Sequence, residues 1–259
     1  MNNSDRPEQI SISYDELLQQ NQALRHEIEE LRAIEPFVWR LFADTGRKLQ
    51  VYSASIKAAV SSLLDYDIFW DPTNQHEFLE TIDSSVNQVS ELTVLLTLAF
   101  RAQANSLELR KDTQLLQEIL SVSQMIATKK IPDITVEISF PPAGKPVRVD
   151  YEYMTKALVL LYEVLFAQAP TALIRVVASE TSGGWFLEFT GLDLQILKLI
   201  EQMHHCKTQP ASNEFLSAEN ILRVHIICEI LHLQQISVDV IDEGRSPLLR
   251  LRIPDIATI

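Results

Sequence analysis

The chain has 259 residues, 46% of them hydrophobic, and a formal net charge of −13 at pH 7. This length and apolar content predict one or two globular domains with a buried core. The acidic balance disfavours nucleic acid and anionic membrane surfaces, because both attract clustered Lys and Arg. No apolar run reaches the roughly 18 residues of a membrane span, and the N-terminus lacks a signal-peptide core. The two cysteines form no disulfide framework, so we expect a cytoplasmic protein.

The N-terminal part of the chain carries a seven-residue apolar repeat. Residues 1–12 precede the repeat, and we expect them to be flexible. Counted from Tyr14 as position a, residues 13–35 place apolar side chains mainly at a and d, which predicts a coiled coil. Asn21 falls at an a position, where a buried Asn pairs best with its own copy in a parallel dimer. An amphipathic helix packed on its own domain is the alternative. The predicted dimer contacts are Asn21, Leu24, Ile28 and Leu31.

The interrupted apolar repeat over residues 36–105 predicts a dimerising helical hairpin. Pro36 lacks a backbone donor and should kink or break the helix, so we expect a joint at 34–37. The repeat resumes beyond it, stops in the Asp-, Pro- and Asn-containing segment 65–74, and starts again at Leu79. Two helices with matched seams form an antiparallel hairpin, and two hairpins dimerise as a four-helix bundle. Its predicted dimer contacts are Leu49, Ile56, Ile82, Val86 and Val89.

From residue 106 to 259 the pattern changes to that of an α/β sandwich. Alternating β-rich runs predict strands, and longer apolar runs predict helices. Helices packed on one face of a mixed sheet make an α+β layer. We expect helices at 111–127, 151–168, 193–205 and 216–233, and strands at 134–140, 147–150, 236–242 and 248–254, with a strand hairpin at 171–191.

This order of elements, with three local strings, resembles the transmitter core of a sensor histidine kinase. The strings are DPTNQHEFLETI (71–82), VRVDYEYMTKAL (147–158) and ILHLQQISVDVIDEGRSPLLRLRIP (230–254). The resemblance extends over residues 40–255. It implies a dimeric four-helix bundle followed by an ATPase-like domain of the type shared with gyrase, Hsp90 and MutL.

The position of the family's phosphoacceptor histidine is occupied by an arginine. Counted back from the matching segment SIKAAVSSLL (55–64), that position is Arg47, and Lys48 stands where a carboxylate normally assists. Arginine stays protonated at neutral pH and has no lone pair for attack on phosphorus. Arg47 is at heptad position f, so we expect it to be exposed, as the phosphoacceptor would be.

The family's nucleotide-binding motifs are also altered, in a chain that holds six glycines. Leucine and valine replace two asparagines and offer no oxygen to Mg²⁺, and a phenylalanine replaces the adenine-binding aspartate. One glycine is kept, and an aspartate replaces another. The resemblance therefore implies a degenerate pocket, plugged by apolar side chains and without a cofactor. The residues at these positions are Leu160, Val164, Phe189, Gly191 and Asp193.

A carboxylate also stands in the second glycine motif, where Glu219 is followed by Asn220 and Ile221. A negative side chain facing the phosphates would repel them. Downstream on the same predicted helix, Ile226, Ile227 and Ile230 occupy its usual solvent side. We expect core burial of these isoleucines, with a partner surface as the alternative.

Histidines keep two other functions open. His76 or His26 could accept phosphate if the chain is a phosphotransfer protein with a degenerate ATPase domain. A metal site would need the histidines and cysteines between residues 204 and 232. Their spacing matches no zinc module, so we expect these side chains to belong to the core or the lid instead. The cluster comprises His204, His205, Cys206, His225, Cys228 and His232.

Taken together, these residues predict a non-catalytic, histidine-kinase-like homodimer that acts by binding in two-component signalling. A response regulator or a kinase is the expected partner. The exposed positions that dock receiver domains in active relatives are here Arg47, Gln50, Val51 and Ala54. Two alternatives remain, namely the phosphotransfer protein and, less favoured by the motifs, an active ATP-binding kinase.

Overall fold

The computed structural model describes residues 43–64, 72–104, 106–141, 144–168, 173–191, 194–206, 217–242 and 247–255, and the single positions 19 and 22. The predicted coiled coil at 13–35 and the joint at 34–37 lie outside these residues, apart from those two positions. So do Asn21, Leu24, His26, Ile28 and Leu31. Among the described residues, no helix is both long and apolar enough to cross a membrane.

Two helices make up the N-terminal hairpin. Helix α1 covers residues 43–64, and helix α2 covers Pro72–Gln103. One face of α2 is buried, with Leu95 at 2% and Ala102 at 1% exposure, and α2 packs against the last helix of the sandwich. The opposite side carries exposed apolar residues, including Leu79 and Val86. The helix therefore has one apolar face for its own chain and another that its own chain leaves uncovered.

The sandwich contains four helices and seven strands in the described part of the chain. The helices are α3 (Leu116–Lys130), α4 (Tyr151–Gln168), α5 (Leu194–Cys206) and α6 (Ala218–Leu233). The strands are β1 (Asp112–Gln114), β2 (Thr135–Ser139), β3 (Val147–Val149), β4 (Leu173–Thr181), β5 (Gly184–Thr190), β6 (Ser237–Ile241) and β7 (Leu248–Pro254).

The main sheet has five strands in the order β2-β4-β5-β7-β6. Strands β2 and β4 are parallel, and every other neighbouring pair is antiparallel. One side of the sheet is covered by helices, and α4 lies in the helical layer between α3 and α6. This mixed sheet with a helical layer confirms the α+β class predicted from the sequence.

One predicted helix boundary is wrong. Residues 111–115 were expected to be helical, but Asp112–Gln114 form strand β1, which pairs antiparallel with β3. Leu115, at the start of α3, has an extended backbone with φ −85° and ψ 118°. The pairing partner lies more than thirty residues along the chain, so local periodicity carried no sign of it.

Asp150 fixes the junction between β3 and α4. Its Oδ1 accepts the Tyr153 N–H at 2.9 Å, which caps the first turn of α4, as aspartate commonly does at this position. Its Oδ2 accepts the Arg110 N–H at 2.7 Å, and its own N–H donates to Gln234 Oε1 at 2.9 Å. The aspartate of the string VRVD therefore joins three separate segments of the sandwich.

The isoleucines of α6 belong to the core. Ile226, Ile227 and Ile230 are each 0% exposed. This confirms the expectation of core burial and excludes these side chains from a partner surface on the folded chain. Helix α6 is apolar on nearly every side because the sandwich and α2 surround it.

Candidate functional site

The centre of the candidate site is a buried carboxylate on α4. Glu163 is 7% exposed. Its Oε1 accepts a hydrogen bond from Lys130 Nζ of α3 at 2.6 Å, and its Oε2 accepts one from Arg223 Nε of α6 at 2.9 Å. A buried carboxylate needs paired charge and hydrogen bonds to offset its lost hydration. The two cations supply both and hold three helices together.

The same ion network extends into the hairpin. Lys130 also pairs with Glu91 of α2. Arg223 Nη2 lies 2.5 Å from Glu219 Oε1, and Glu219 Oε2 accepts Lys48 Nζ of α1 at 2.5 Å. Both hairpin helices are thus bound to the sandwich through charged side chains.

Opposing effects set the protonation of this network. Burial alone would raise the pKa of Glu219, but the hydrogen bond from Lys48 and the charge of Arg223 outweigh it and lower that pKa. Burial alone would lower the pKa of Lys130, but hydrogen bonds to Glu163 and Glu91 raise it. At neutral pH both groups are therefore charged, and the network is an array of ion pairs.

Apolar side chains fill the positions that the resemblance assigns to nucleotide binding. Leu160 is 2% exposed, and Val164 and Phe189 are each 0% exposed. The Phe189 ring packs against Tyr162, with ring centroids 6.2 Å apart, and burial raises the Tyr162 pKa. These three side chains are part of the core, and none of them can supply an oxygen to a metal ion or a hydrogen bond to a base. Asp193 lies outside the described residues.

Gly191 has a structural reason to be glycine. Its φ is +85°, and a Cβ atom there would lie 2.4 Å from the Leu173 carbonyl oxygen. A residue with a side chain could adopt this backbone only with strain. The glycine that matches the family motif is therefore required by the approach of β5 to β4, whether or not a ligand binds.

The predicted docking positions lie on the surface of α1. The Arg47 side chain is 76% exposed, as its heptad position predicts, and its Nη2 pairs with Asp44 Oδ1 at 2.8 Å. Val51 is 55% exposed, and Gln50 and Ala54 are also exposed. All four side chains are therefore available to a partner in the single chain.

The predicted dimer contacts show graded exposure. Leu49, Ile56, Ile82 and Val89 are half-buried, whereas Val86 is 44% exposed. Leu79, one heptad before Val86 on α2, is 55% exposed. An apolar seam with this spacing is typical of a helical bundle interface, and the dimer itself stays a prediction.

The members of the histidine and cysteine cluster whose side chains the structure describes are His204, His225, Cys228 and His232, and they do not form a metal site; the side chains of His205 and Cys206 lie outside the described part. Cys228 is buried, its thiol donates to the Ile200 carbonyl oxygen at 3.6 Å, and burial raises its pKa to about 12. His232 packs edge-on against His204, with ring centroids 6.4 Å apart. Burial lowers the pKa of His225. No group of three His, Cys, Asp or Glu among the described residues could hold a metal ion.

Comparison with known proteins identifies the fold. No family model matches the sequence, and no curated protein is significantly similar to it. The histidine kinase AdeS of Acinetobacter baumannii superposes with a TM-score of 0.55 at 12% identity, over 80% of this chain and 97% of that chain. The histidine kinase ThkA, solved in complex with the response regulator TrrA, gives 0.57 at 12% identity, over 96% and 69%.

A third structure, full-length ShkA in complex with AMPPNP, gives a TM-score of 0.52 at 13% identity, over 83% of this chain and 45% of that one. At such identities the likeness concerns the fold alone. The chain thus has the architecture of a histidine kinase hairpin followed by an ATPase-like domain, in agreement with the fold predicted from its sequence.

The ion network escaped sequence analysis. Its members are scattered over the predicted hairpin, the predicted helices of the sandwich and a connection, and only Lys48 and Glu219 stand out in the sequence, as departures from the family motifs. A signal was nevertheless present, since Glu163 and Arg223 are each flanked by apolar residues on strongly apolar helices. A lone charge on an apolar helix implies a buried partner of opposite sign, although the sequence does not say which one.

Proposed function

We propose that this chain is a non-catalytic, homodimeric signalling scaffold, which binds a regulatory protein of the response-regulator type without ATP. The observation that carries the proposal is the burial of Leu160, Val164 and Phe189 at the positions of the nucleotide-binding motifs. The carboxylate between the first two, Glu163, is already neutralised by Lys130 and Arg223. Because each of its oxygens already accepts a hydrogen bond from a cation, it is poorly placed to act as a ligand for Mg²⁺.

The contact between Lys48 and Glu219 supports the same function. Autophosphorylation requires the ATPase-like domain to bring a nucleotide to the phosphoacceptor position. Here the residue next to that position, Lys48, is ion-paired with the motif residue Glu219. The arginine at the position itself cannot act as a nucleophile at neutral pH. An ion pair that holds the hairpin against the sandwich favours a protein that binds a partner through a fixed surface over one that moves its ATPase-like domain during catalysis.

Nucleotide binding is tested by thermal unfolding. The purified chain is heated with millimolar ATP or ADP and Mg²⁺, beside an active histidine kinase ATPase domain as the positive control. We expect no shift in Tm, because a ligand stabilises a protein only if it binds the folded state. A saturable upward shift of several degrees would contradict the proposal and favour an active kinase.

The docking surface on α1 is the second element of the proposal. In the solved ThkA complex, a histidine kinase binds a response regulator. In this chain Arg47 and Val51 are exposed on the first hairpin helix. Arginine is enriched at protein interfaces and their buried centres are apolar, so we assign the partner to this face.

Charge reversal tests the docking surface. Binding to a panel of purified receiver domains is measured for the wild type and for Arg47→Glu combined with Val51→Glu. The matched control is Arg175→Glu combined with Val177→Glu, which makes the same changes on exposed positions of β4. We expect the first pair to abolish binding and the second to leave it intact. Equal binding by both variants would place the interface elsewhere.

A phosphotransfer function is the second candidate, and the geometry of His76 favours it. The imidazole is 74% exposed, and its Nε2 lies 3.1 Å from Glu80 Oε1. A carboxylate that holds one ring nitrogen orients the other for reaction. Incubation with a phosphorylated receiver domain should give no acid-labile, base-stable label on this chain. If the wild type is labelled and His76→Gln is not, the scaffold function would be wrong and the chain would be a phosphotransfer protein.

A further inference from the structure

The ion pairs of the candidate site form one connected network between the hairpin and the sandwich. Lys130 contacts Glu91 and Glu163. Arg223 contacts the same two carboxylates, and its Nη2 lies 3.7 Å from Glu91 Oε1. These four side chains therefore close a ring that joins α2, α3, α4 and α6. Arg223 also pairs with Glu219, which extends the network towards α1.

The charges of this network balance only when Lys48 belongs to it. Its members in the described part of the chain are three carboxylates and three cations, namely Glu91, Glu163, Glu219, Lys48, Lys130 and Arg223. Without Lys48, two cations would face three carboxylates. The side chains of Glu163 and Arg223 are 6% and 12% exposed, so water solvates this part of the network poorly and an excess charge there is costly.

Lys48 is also the member of the network that borders the docking surface. It directly follows Arg47 on α1, and part of its side chain is open to solvent, with 34% exposure. A lysine ammonium on its flexible stem can change its partner by rotation. A carboxylate of a bound protein can therefore replace Glu219, because it offers the same charge and the same acceptor atoms.

We propose that Lys48 is a relay between the docking surface and the junction of hairpin and sandwich, and that an acidic side chain of the bound protein draws it away from Glu219. The network is then left with an excess of carboxylates, and the hairpin is held less firmly to the sandwich. The proposal rests on the docking surface of the proposed function. It adds the chemistry of the partner, which presents a carboxylate beside Arg47, and a consequence of docking for the rest of the chain.

The relay is tested first in the free chain by a double-variant cycle. Lys48→Met removes a cation at the α1 end of the network, and Glu91→Gln removes a carboxylate on α2, which pairs with Lys130 and Arg223. The second change restores the charge balance that the first one breaks. The double variant should therefore lose less stability than the sum of the two single losses. In urea unfolding we expect a departure from additivity of at least about twofold in the unfolding equilibrium constant.

Glu137→Gln combined with Lys48→Met is the matched control for this cycle. Glu137 is 61% exposed and pairs with Arg175 of β4, outside the network, so these two changes should be additive. Additive effects of Lys48→Met and Glu91→Gln would show that the two ends of the network are not coupled and would overturn the proposal. An equal coupling in the control would overturn it too, since it would reflect the net charge of the protein and not the network.

The second test measures binding to the panel of receiver domains. Glu219→Gln frees Lys48 from its internal partner, so the affinity should rise by about fivefold, because coupling between two sites is reciprocal. Adding Lys48→Met should remove this gain. Lys57→Met changes an exposed lysine further along α1 and should leave the affinity unchanged.

The outcomes separate this proposal from the proposed function. Unchanged or weaker binding by Glu219→Gln, with normal binding by the wild type, would overturn the relay and leave the docking surface in place. If no receiver domain binds the wild type, the proposed function is wrong and the acidic partner of Lys48 with it, and the double-variant cycle still decides whether the network is coupled.

Discussion

Lys48 of α1 donates to Glu219 at the start of α6, with Nζ and Oε2 2.5 Å apart. The two residues are 171 positions apart in the sequence. Each stands at a position where the histidine kinase resemblance expects a residue of another kind. Their contact therefore turns two departures from the family motifs into one structural link between the hairpin and the sandwich.

The first prediction concerns the pH dependence of this link. The folded-state pKa of Glu219 lies below its usual 4.5, so the stability that its carboxylate contributes is present above that value and is lost as pH falls through the lowered pKa. Glu219→Gln should lower the free energy of unfolding by about 1–2 kcal/mol at neutral pH. The difference from the wild type should disappear in acid, as measured by urea unfolding across a pH series.

Glu137→Gln is the matched control for that series. Its carboxylate pairs with Arg175 at 3.2 Å, but both side chains are more than 60% exposed. Exposed pairs contribute about 0–1 kcal/mol, so this variant should unfold much like the wild type. If Glu137→Gln lowered the free energy of unfolding at neutral pH as much as Glu219→Gln does, the ion pair of Lys48 and Glu219 would have no special role in stability.

The second prediction concerns the buried pair of Glu163 and Arg223, whose side chains are 6% and 12% exposed. Arg223→Met should destabilise the protein by about 3 kcal/mol, because it leaves a buried carboxylate only partly neutralised. Glu163→Leu added to Arg223→Met should restore part of that loss. Chemical denaturation of the single and double variants measures both effects.

Arg250→Met provides the comparison for this second test. Arg250 pairs with Glu188 at 2.6 Å, but the two side chains are 31% and 25% exposed. Since water can solvate the carboxylate left behind, the loss should be about 1 kcal/mol. A double variant less stable than Arg223→Met alone would show that Glu163 does not depend on Arg223 for its burial.

The third prediction contrasts two glycines. Gly191→Ala should destabilise the sandwich by about 1–3 kcal/mol, because an L side chain is strained at a φ of +85° and its Cβ would meet the Leu173 carbonyl. Gly46→Ala lies within α1, where an added Cβ finds no atom within 4 Å. It should stabilise by about 0.5–1 kcal/mol. Thermal unfolding of the two variants measures both effects. A lower Tm for Gly46→Ala as well as for Gly191→Ala would argue against the conformation described for α1.

The fourth prediction tests the dimer. Val86→Glu places a charge in the predicted seam of α2 and should produce monomers in light scattering, because charge is unfavourable at an apolar interface. Val94→Glu makes the same change about two turns further along the helix, at a residue that is 52% exposed but lies outside the seam. It should remain dimeric. A monomeric wild type would remove the basis for both the four-helix bundle and the coiled coil.

Much of the fold was predictable from the sequence because its signals are local. The apolar run at 151–168 and the alternating run at 248–254 match α4 and β7 as the structure has them. Strand β1 was missed because three residues carry little periodicity, and their strand character comes from pairing with β3. Among the candidate site residues, the heptad position of Arg47 predicted its exposure correctly.

By itself, the sequence determined the order of helices and strands, the apolar character of Leu160, Val164 and Phe189, and the exposed heptad position of Arg47. These are properties of residue types and of short-range spacing. Only the tertiary structure decided that Lys48 meets Glu219 and that Glu163 lies between two cations. A helical repeat specifies which face is apolar, but it does not specify the partner, because that choice depends on how distant segments pack.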